Sequence, residues 1–522
     1  MTQAHEQKHW DVIVIGTGIG GGTIGRRLAE AGRSVLFLEK GPQGYRAEQN
    51  GLGSATVNDP QARLLRGAWP DKMRAKIAGK ERETFPVLGA GVGGSSVFYA
   101  AALERPEPHD LDHSDDRPHP TKGWPVSFQE MLPYYDAAQA LFEVRGEADP
   151  LSSHPSSKLA APNEMSDGDA QLVTGLRQAG LHPYQLHVAV RKLENCQSCF
   201  GRKCPRPCKL DGRSAGVEPA LATGAAELID RCEVLSIEAD RRSATKVVAS
   251  RDGVLLNLTA DHVVLAAGAL SSPRLLLQSR NVQWPNGIGN DQDLVGRYLM
   301  FHFNEIFALW PKRGEGYEEA AKSIGFRDIY FNKGERFGMV QSMGLNAGEG
   351  DILHVLRQRL ERSVLKKVPM LDQLVRIPAA VAARMFGQAK IFVGLLEDLP
   401  YPENRVLCDP TRAGGILVEY NYSSELLRRR RQFRSAIRKA LKGYRSFYTS
   451  FEPEPNLGHP CGSLRMGRSP SDSVLDKSCR VHGMDNLWVA DASFMPTSTG
   501  VNPSLTIAAN ALRVADAILE QT

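Results

Sequence analysis

The sequence predicts an α/β protein: a Rossmann-type domain, discontinuous along the chain, combined with an α+β domain whose sheet is mostly antiparallel. Three observations predict it. Residues 11 to 39, DVIVIGTGIGGGTIGRRLAEAGRSVLFLE, read as strand, tight turn, helix and second strand. The same style of buried strand, small residues and helix returns much later, at Val263-Val-Leu-Ala-Ala-Gly-Ala-Leu-Ser-Ser-Pro. Between 305 and 450, short alternating runs such as Lys390-Ile-Phe-Val-Gly-Leu-Leu and Gly415-Ile-Leu-Val-Glu-Tyr are separated by turn residues, as antiparallel strands are. A chain of 522 residues exceeds one ordinary core and suits two domains, or three at most. The expected division gives 1–104, 212–304 and 455–522 to the Rossmann-type domain, and 105–211 with 305–454 to the other.

In the first stretch the apolar run Val12 to Ile15 leads into Gly16-x-Gly18-x-x-Gly21. Gly16 permits the tight turn, Gly18 lets the backbone approach a pyrophosphate, and Gly21 lets the helix lie against the strand. That helix carries Ile24 and Leu28 one turn apart and closes at Gly32. The second strand, Val35 to Leu38, then delivers Glu39, close to where an acidic residue must sit to bond a ribose hydroxyl. A lone glycine motif is weak; here strand, helix, second strand and terminal glutamate agree, and the stretch reads as a dinucleotide site.

Residues 40 to 80 show no clear periodicity. After them, Leu88-Gly-Ala-Gly-Val-Gly-Gly-Ser-Ser is flanked by Val87, Val97 and Phe98, too apolar for a surface loop, and predicts backbone packed against something flat or bulky. Residues 105 to 170 are rich in Pro, His and Asp, with one helix around Ser127 to Phe142 that Ser127 and Glu130 open as a capping box. The segment from His354 to Lys390 is basic and interleaved with leucine, valine, Met385 and Phe386. Such a segment is either a solvated helix face or a helix lying on an anionic membrane or partner.

The totals bound the rest. Hydrophobic content of 42% and charged content of 24% are those of a globular protein, and a net charge of +5 is too mild to imply nucleic acid. The polar start MTQAHEQKHW holds no apolar signal core, so the expected address is the cytoplasm, with contact at a membrane periphery through 354–390.

Taken together, these motifs resemble those of the glucose-methanol-choline oxidoreductases. The resemblance covers the motif at 16 to 21, the passage from Leu88 to Ser96, Ala266-Ala-Gly-Ala-Leu-Ser-Ser-Pro, Leu294-Val-Gly-Arg-Tyr-Leu-Met-Phe-His and Glu397-Asp-Leu-Pro-x-Pro-Glu-Asn-Arg-Val. The carboxyl end is its most specific part: His459-Pro-Cys-Gly-Ser-Leu-Arg-Met-Gly, the run from Arg480 to Thr497, and Gly500-Val-Asn-Pro-Ser-Leu-Thr. It implies FAD instead of a nicotinamide, held by the Rossmann-type domain and facing the antiparallel substrate-binding domain. It implies His459 as the catalytic base and Asn502 as its partner in oxidising an alcohol. Gly16, Gly18, Gly21, Glu39, Gly93, Gly94, Ser95, Asp491, Asn502 and Pro503 are the implied cofactor contacts. Several members tether FAD through a histidine five places after the first glycine of the Gly93-Gly94 pair; here that place is Phe98, which implies a non-covalent flavin. His302 and His482 are assigned structural roles.

The chemistry fits these residue types. An alcohol gives up hydride from carbon only if its hydroxyl proton leaves as well, and a histidine can accept it. Expected substrates are a sugar or aminosugar, a sterol or another lipid alcohol, with electrons passing to a protein, a quinone or oxygen. Two rivals share the scaffold: a hydroxynitrile-lyase-like lyase, and an inactive electron-transfer or binding protein.

One feature departs from most of the family: Cys196-x2-Cys199-x4-Cys204-x3-Cys208, half of the eight cysteines within one short loop. The last three share the spacing of bacterial glucose dehydrogenases that resemble this chain and carry an iron–sulfur cluster. Thiolates also suit a tetrahedral zinc, and a metal-free loop is the third reading. Arg202, Lys203, Arg206 and Lys209 would offset the charge of a thiolate-bound centre or form a docking surface for an acceptor.

Overall fold

The computed structural model describes residues 2–44, 59–196, 199–312, 321–344, 375–450 and 452–521. The apolar runs read from the sequence pair as parallel strands buried on both faces, which is why they are continuous and not alternating. The strand His9–Ile15 is flanked by Val35–Leu38 on one side and by the far end of Val254–Leu265 on the other. Ala226–Ile229 extends the sheet beyond Val35–Leu38, and Leu487–Val489 pairs with Val263 to Leu265. The first half of Val254–Leu265 pairs instead with Ala244–Arg251, and that strand with Cys232–Ala239, adding an antiparallel wing. One sheet thus gathers strands from three separated parts of the chain.

The helix Ile19–Glu30 packs on this sheet at a distance only glycine allows. A Cβ on Gly25 would stand 2.1 Å from the Phe37 ring, and one on Gly20 would stand 1.7 Å from the Ala490 carbonyl oxygen.

The second sheet is antiparallel throughout, in the order Arg445–Tyr448, Phe303–Trp310, Lys390–Leu396, Val340–Ser342, Ile324–Phe326, Tyr184–Gln185. The alternating run at 390 is therefore a strand of the kind expected. The run at 415 is a strand too, Ile416–Tyr420, but it belongs to a separate four-stranded sheet, where it pairs in parallel with Met73–Ile77. Met73–Ile77 and Lys80–Thr84 form a hairpin inside the stretch that showed no periodicity. Its signal was short: Met73, Ala75 and Ile77 are buried in alternation, and Ala78 and Gly79 turn the chain at φ of 49° and 77°.

The helix Phe128–Leu141 opens with the expected capping box: the Glu130 amide donates to the Ser127 hydroxyl, and the Glu130 carboxylate accepts from the Ser127 amide and hydroxyl. Nearby, buried His119 donates from Nε2 to the Asp110 carbonyl and accepts at Nδ1 from the amides of Thr121 and Gly123. Both ring nitrogens are committed to the neutral form, and burial pushes its pKa from 6.5 to about 4. The unfolded ring therefore takes up a proton, as pH falls through 6.5, that the folded ring refuses. Stability from this residue is complete above pH 6.5 and is lost from there towards about 4, by about 1.4 kcal/mol per pH unit in the ideal case. Urea midpoints at pH 7 and pH 5 should therefore fall more for the wild type than for His119→Gln; equal falls would contradict it.

Candidate active site

A single cavity of about 370 Å³ joins the two glycine passages to the carboxyl-terminal motifs. Gly16, Gly18, Glu39, Gly94, Ser95, His459, Asp491, Asn502 and Pro503 all contribute to its wall. Gly18 immediately precedes the helix Ile19–Glu30, and Asn502 and Pro503 precede the helix Ser504–Leu519. Two helix starts with uncommitted amides therefore border the cavity, an environment that favours phosphate.

Gly21 and Gly93 lie outside the lining. A Cβ on Gly21 would stand 2.0 Å from the Gly16 oxygen, so its role is to let helix meet strand. Gly93, at φ 95°, donates its amide to the Thr17 hydroxyl at 3.2 Å, while a Cβ on Gly94 would stand 2.9 Å from the Gly18 Cα. The two glycine passages thus pack directly on each other. Thr17, which sequence reasoning passed over, also donates from its amide and hydroxyl to Glu39 at 3.1 and 2.5 Å. With the Gly41 amide as a third donor, Glu39 is buried and anchored, and burial raises its pKa. Asp491 is likewise engaged by protein groups: it accepts from the Gly268 and Ser493 amides, each at 2.9 Å, and from the Ser272 and Ser493 hydroxyls. It organises two turns of the cavity wall.

His459 and Asn502 share that wall. Among the described residues the amide oxygen Oδ1 of Asn502 is buried without a hydrogen-bond partner, a polar atom left for a ligand to satisfy. His459 stands edge-on to His302, with Nδ1 of each ring 3.3 Å apart. His302 is fully buried and reaches the Thr499 carbonyl through Nε2 at 3.1 Å. Its assignment as a structural histidine is therefore incomplete, because it touches the expected base. The signal lay in the motif that ends at His302, but nothing local connects residue 302 with residue 459. Burial first, then the neighbouring His302 and Lys322, push the His459 pKa from 6.5 to about 3, so the ring is neutral at physiological pH.

The GMC oxidoreductase profile matches this chain over residues 11–304 with its amino-terminal part and over 405–511 with its carboxyl-terminal part. The chain belongs to the GMC oxidoreductase family. It is 27% identical to the 6'''-hydroxyparomomycin C oxidase of Streptomyces lividus, over 98% of this chain and 91% of that protein. It is also 27% identical to the fructose dehydrogenase large subunit of Gluconobacter japonicus, over 98% and 97% of the two chains. Among solved structures, pyridoxine 4-oxidase from Mesorbium loti superposes with a TM-score of 0.62 at 19% identity, covering 98% of this chain and 99% of that one. Formate oxidase superposes with a TM-score of 0.66 at 16% identity, covering 98% of both chains, so the likeness is one of fold.

This GMC oxidoreductase is an FAD-dependent alcohol oxidoreductase, and the residues present fit FAD. The space in front of Gly18 is open, with nothing within 4 Å of where a Cβ would lie, so backbone is free to meet a pyrophosphate there. Phe98 lines the cavity at the place where tethering members have histidine. Acid precipitation should therefore leave a colourless pellet and a yellow supernatant; a yellow pellet would show a covalent flavin.

The cysteine loop packs behind the same wall. Buried Lys209 donates from Nζ to the carbonyls of Cys199 and Arg202 within the loop and to those of Val97 and Tyr99 on either side of Phe98. The sulfurs of Cys204 and Cys208 are 3.1 Å apart and Cys204 also bonds Cys199, yet among the described residues no group of three ligating side chains is placed to hold a metal ion. A ready-made iron–sulfur or zinc ligand set is thus not formed by this loop conformation.

Of the basic segment 354–390, residues 354 to 374 lie outside the described residues. The remainder contains the helix Arg376–Phe386, which exposes Ile377, Val381 and Met385 at four-residue spacing. Among the described residues no helix is long and apolar enough to cross a membrane.

Proposed function

We propose that this chain oxidises a hydroxyl group of a sugar or aminosugar to the carbonyl, with His459 taking the hydroxyl proton and Asn502 binding the same oxygen. The observation that carries the reading is the unpartnered amide oxygen of Asn502 beside His459 in the wall of a cavity that also reaches the glycine turn. Among the described residues no protein group bonds His459 Nε2, which leaves that nitrogen for substrate. The Asn502 amide then donates from Nδ2 to the oxygen as negative charge develops on it. Bound in this cavity, FAD supplies the two-electron hydride acceptor at its N5. Relatives named for hydroxyparomomycin C, paromamine and fructose support the sugar or aminosugar class over sterols and other lipid alcohols.

As the physiological oxidant we propose a protein or quinone that docks at the cysteine loop. The loop's link through Lys209 to the residues flanking Phe98, and the exposed Arg202 at its surface, support this. On the same reading, Cys196, Cys199, Cys204 and Cys208 close around an iron–sulfur centre when metal is present, with zinc as the other occupant.

The test is an anaerobic titration of the purified holoenzyme with sugars, aminosugars, sterols and lipid alcohols, followed by the visible spectrum. Bleaching of the flavin by sugars or aminosugars is expected; bleaching only by lipid alcohols would overturn the substrate class. Turnover without bleaching would identify a lyase. A broad absorbance beneath the flavin bands that dithionite removes would identify the iron–sulfur centre, whereas a clean flavin spectrum with rapid reoxidation by oxygen would replace the protein or quinone by oxygen.

A further inference from the structure

We infer that His302 is a positioning residue that fixes the tautomer of His459, keeping the proton on Nδ1 of that ring and the lone pair on Nε2. The inference rests on the proposed role of His459 as base. It follows from donors and acceptors taken in sequence. The Thr499 carbonyl can only accept, so His302 Nε2, 3.1 Å away, carries the hydrogen. His302 is fully buried, and burial pushes its pKa down to about 4, so the ring is neutral and holds one proton only. Its Nδ1 is therefore bare. That nitrogen lies 3.3 Å from Nδ1 of His459, and two lone pairs facing each other at this distance would repel. His459 Nδ1 must then be the donor. Because His459 is also neutral, its Nε2 is unprotonated and ready to receive a hydroxyl proton.

The first link of this relay is built at a cost. Thr499 is β-branched and fully buried, yet it holds φ of 59°, the left-handed region such residues avoid, and its own hydroxyl oxygen has no partner. The flanking residues hold it there. Ser498 accepts from the Asp398 amide at 2.8 Å and donates back to the Asp398 carbonyl at 3.1 Å. On the other side, the Gly500 amide donates to the Tyr330 hydroxyl at 3.2 Å, and that hydroxyl donates to Asp110 at 2.7 Å. This strain is concentrated at the residue whose carbonyl accepts the hydrogen bond from His302 Nε2–H. When the hydroxyl proton arrives on Nε2, His459 becomes an imidazolium whose Nδ1–H donates a stronger, charge-assisted bond to His302. The relay therefore aims the base in the resting enzyme and stabilises it once charged.

The experiment reads the tautomer directly and needs no substrate. In holoenzyme labelled with 15N-histidine, with His459→Asn used to assign the signals, His459 should show a protonated Nδ1 and an unprotonated Nε2. His302→Leu should lose that pattern and lower kcat by about tenfold or more, with FAD content unchanged and KM little altered. His302→Gln, whose amide can donate to Thr499 and accept from His459, should restore both the pattern and most of kcat. Protonation of wild-type His459 at Nε2, or an unchanged tautomer in His302→Leu, would overturn the relay. If the leucine variant fails to fold, the wild-type tautomer and the glutamine variant still decide. A correct tautomer together with full activity in His459→Ala would leave the relay standing as geometry and overturn the role of His459 instead.

Discussion

His459→Ala should lower kcat/KM by at least about a hundredfold, the lower range for loss of a general base, while the protein keeps its FAD. The substitution removes the one cavity-lining imidazole whose Nε2, among the described residues, is free of protein partners. It removes no charge at pH 7, because the ring is held neutral with a pKa pushed down to about 3. The loss should therefore appear in the chemical step and not in a general weakening of binding. A low pKa makes the ring a poor proton acceptor at rest, which differs from the near-neutral base that the residue type alone suggests. Stopped-flow reduction of the flavin by a saturating sugar substrate isolates this step. Undiminished reduction in the variant would mean that the scaffold works without this base, as the binding-protein rival requires.

The second large effect is expected from two neighbouring glycines that should fail in different ways. Gly20→Ala should destabilise the protein by about 3 kcal/mol or more, the upper range for forcing extra volume into a packed core. Its new Cβ would meet the Ala490 carbonyl oxygen at 1.7 Å and Ile507 at 3.2 Å, and Ala490, directly after the strand Leu487–Val489 and tied through its amide to Leu265, cannot rotate its oxygen aside. Gly18→Ala should fold normally. Its backbone is extended, with φ of −60° and ψ of −171°, a conformation open to any residue, and its Cβ would meet nothing within 4 Å. What it should lose is FAD, because the methyl group occupies the space through which the backbone meets the pyrophosphate. Thermal melts and flavin content of the purified variants separate the two cases. A stable Gly20→Ala protein, or a Gly18→Ala protein with full flavin, would contradict them.

These two glycines mark the boundary between what was legible in the sequence and what was not. Gly18 was legible because its role follows from its neighbours: an apolar strand, a turn and a helix within a few residues specify where backbone must lie open. The same holds for Ser127 with Glu130, whose reciprocal bonds span one helical turn, and for the parallel strands, whose burial on both faces shows as continuous apolar runs. His459 and Asn502 were legible through the order of the family's motifs, although neither is distinctive alone. Gly20 was not legible, because the atom that forbids its side chain belongs to Ala490. The hairpin Met73–Ile77 and Lys80–Thr84 is stabilised by pairing with Ile416–Tyr420, far along the chain, so its own short alternation was too weak to read. For the cysteines, spacing supplied a ligand inventory, while the loop conformation leaves no group of three placed to hold a metal ion among the described residues. The sequence by itself determined the fold class, because continuous apolar runs and the glycine turn are local enough to be written in consecutive residues, and the family's motifs named His459 and Asn502 as the candidates for the reaction. Only the tertiary structure decided that His302 faces His459 and that Thr499 is strained to meet it, because those contacts join residues 157 and 197 positions apart and depend on how the two sheets meet around one cavity.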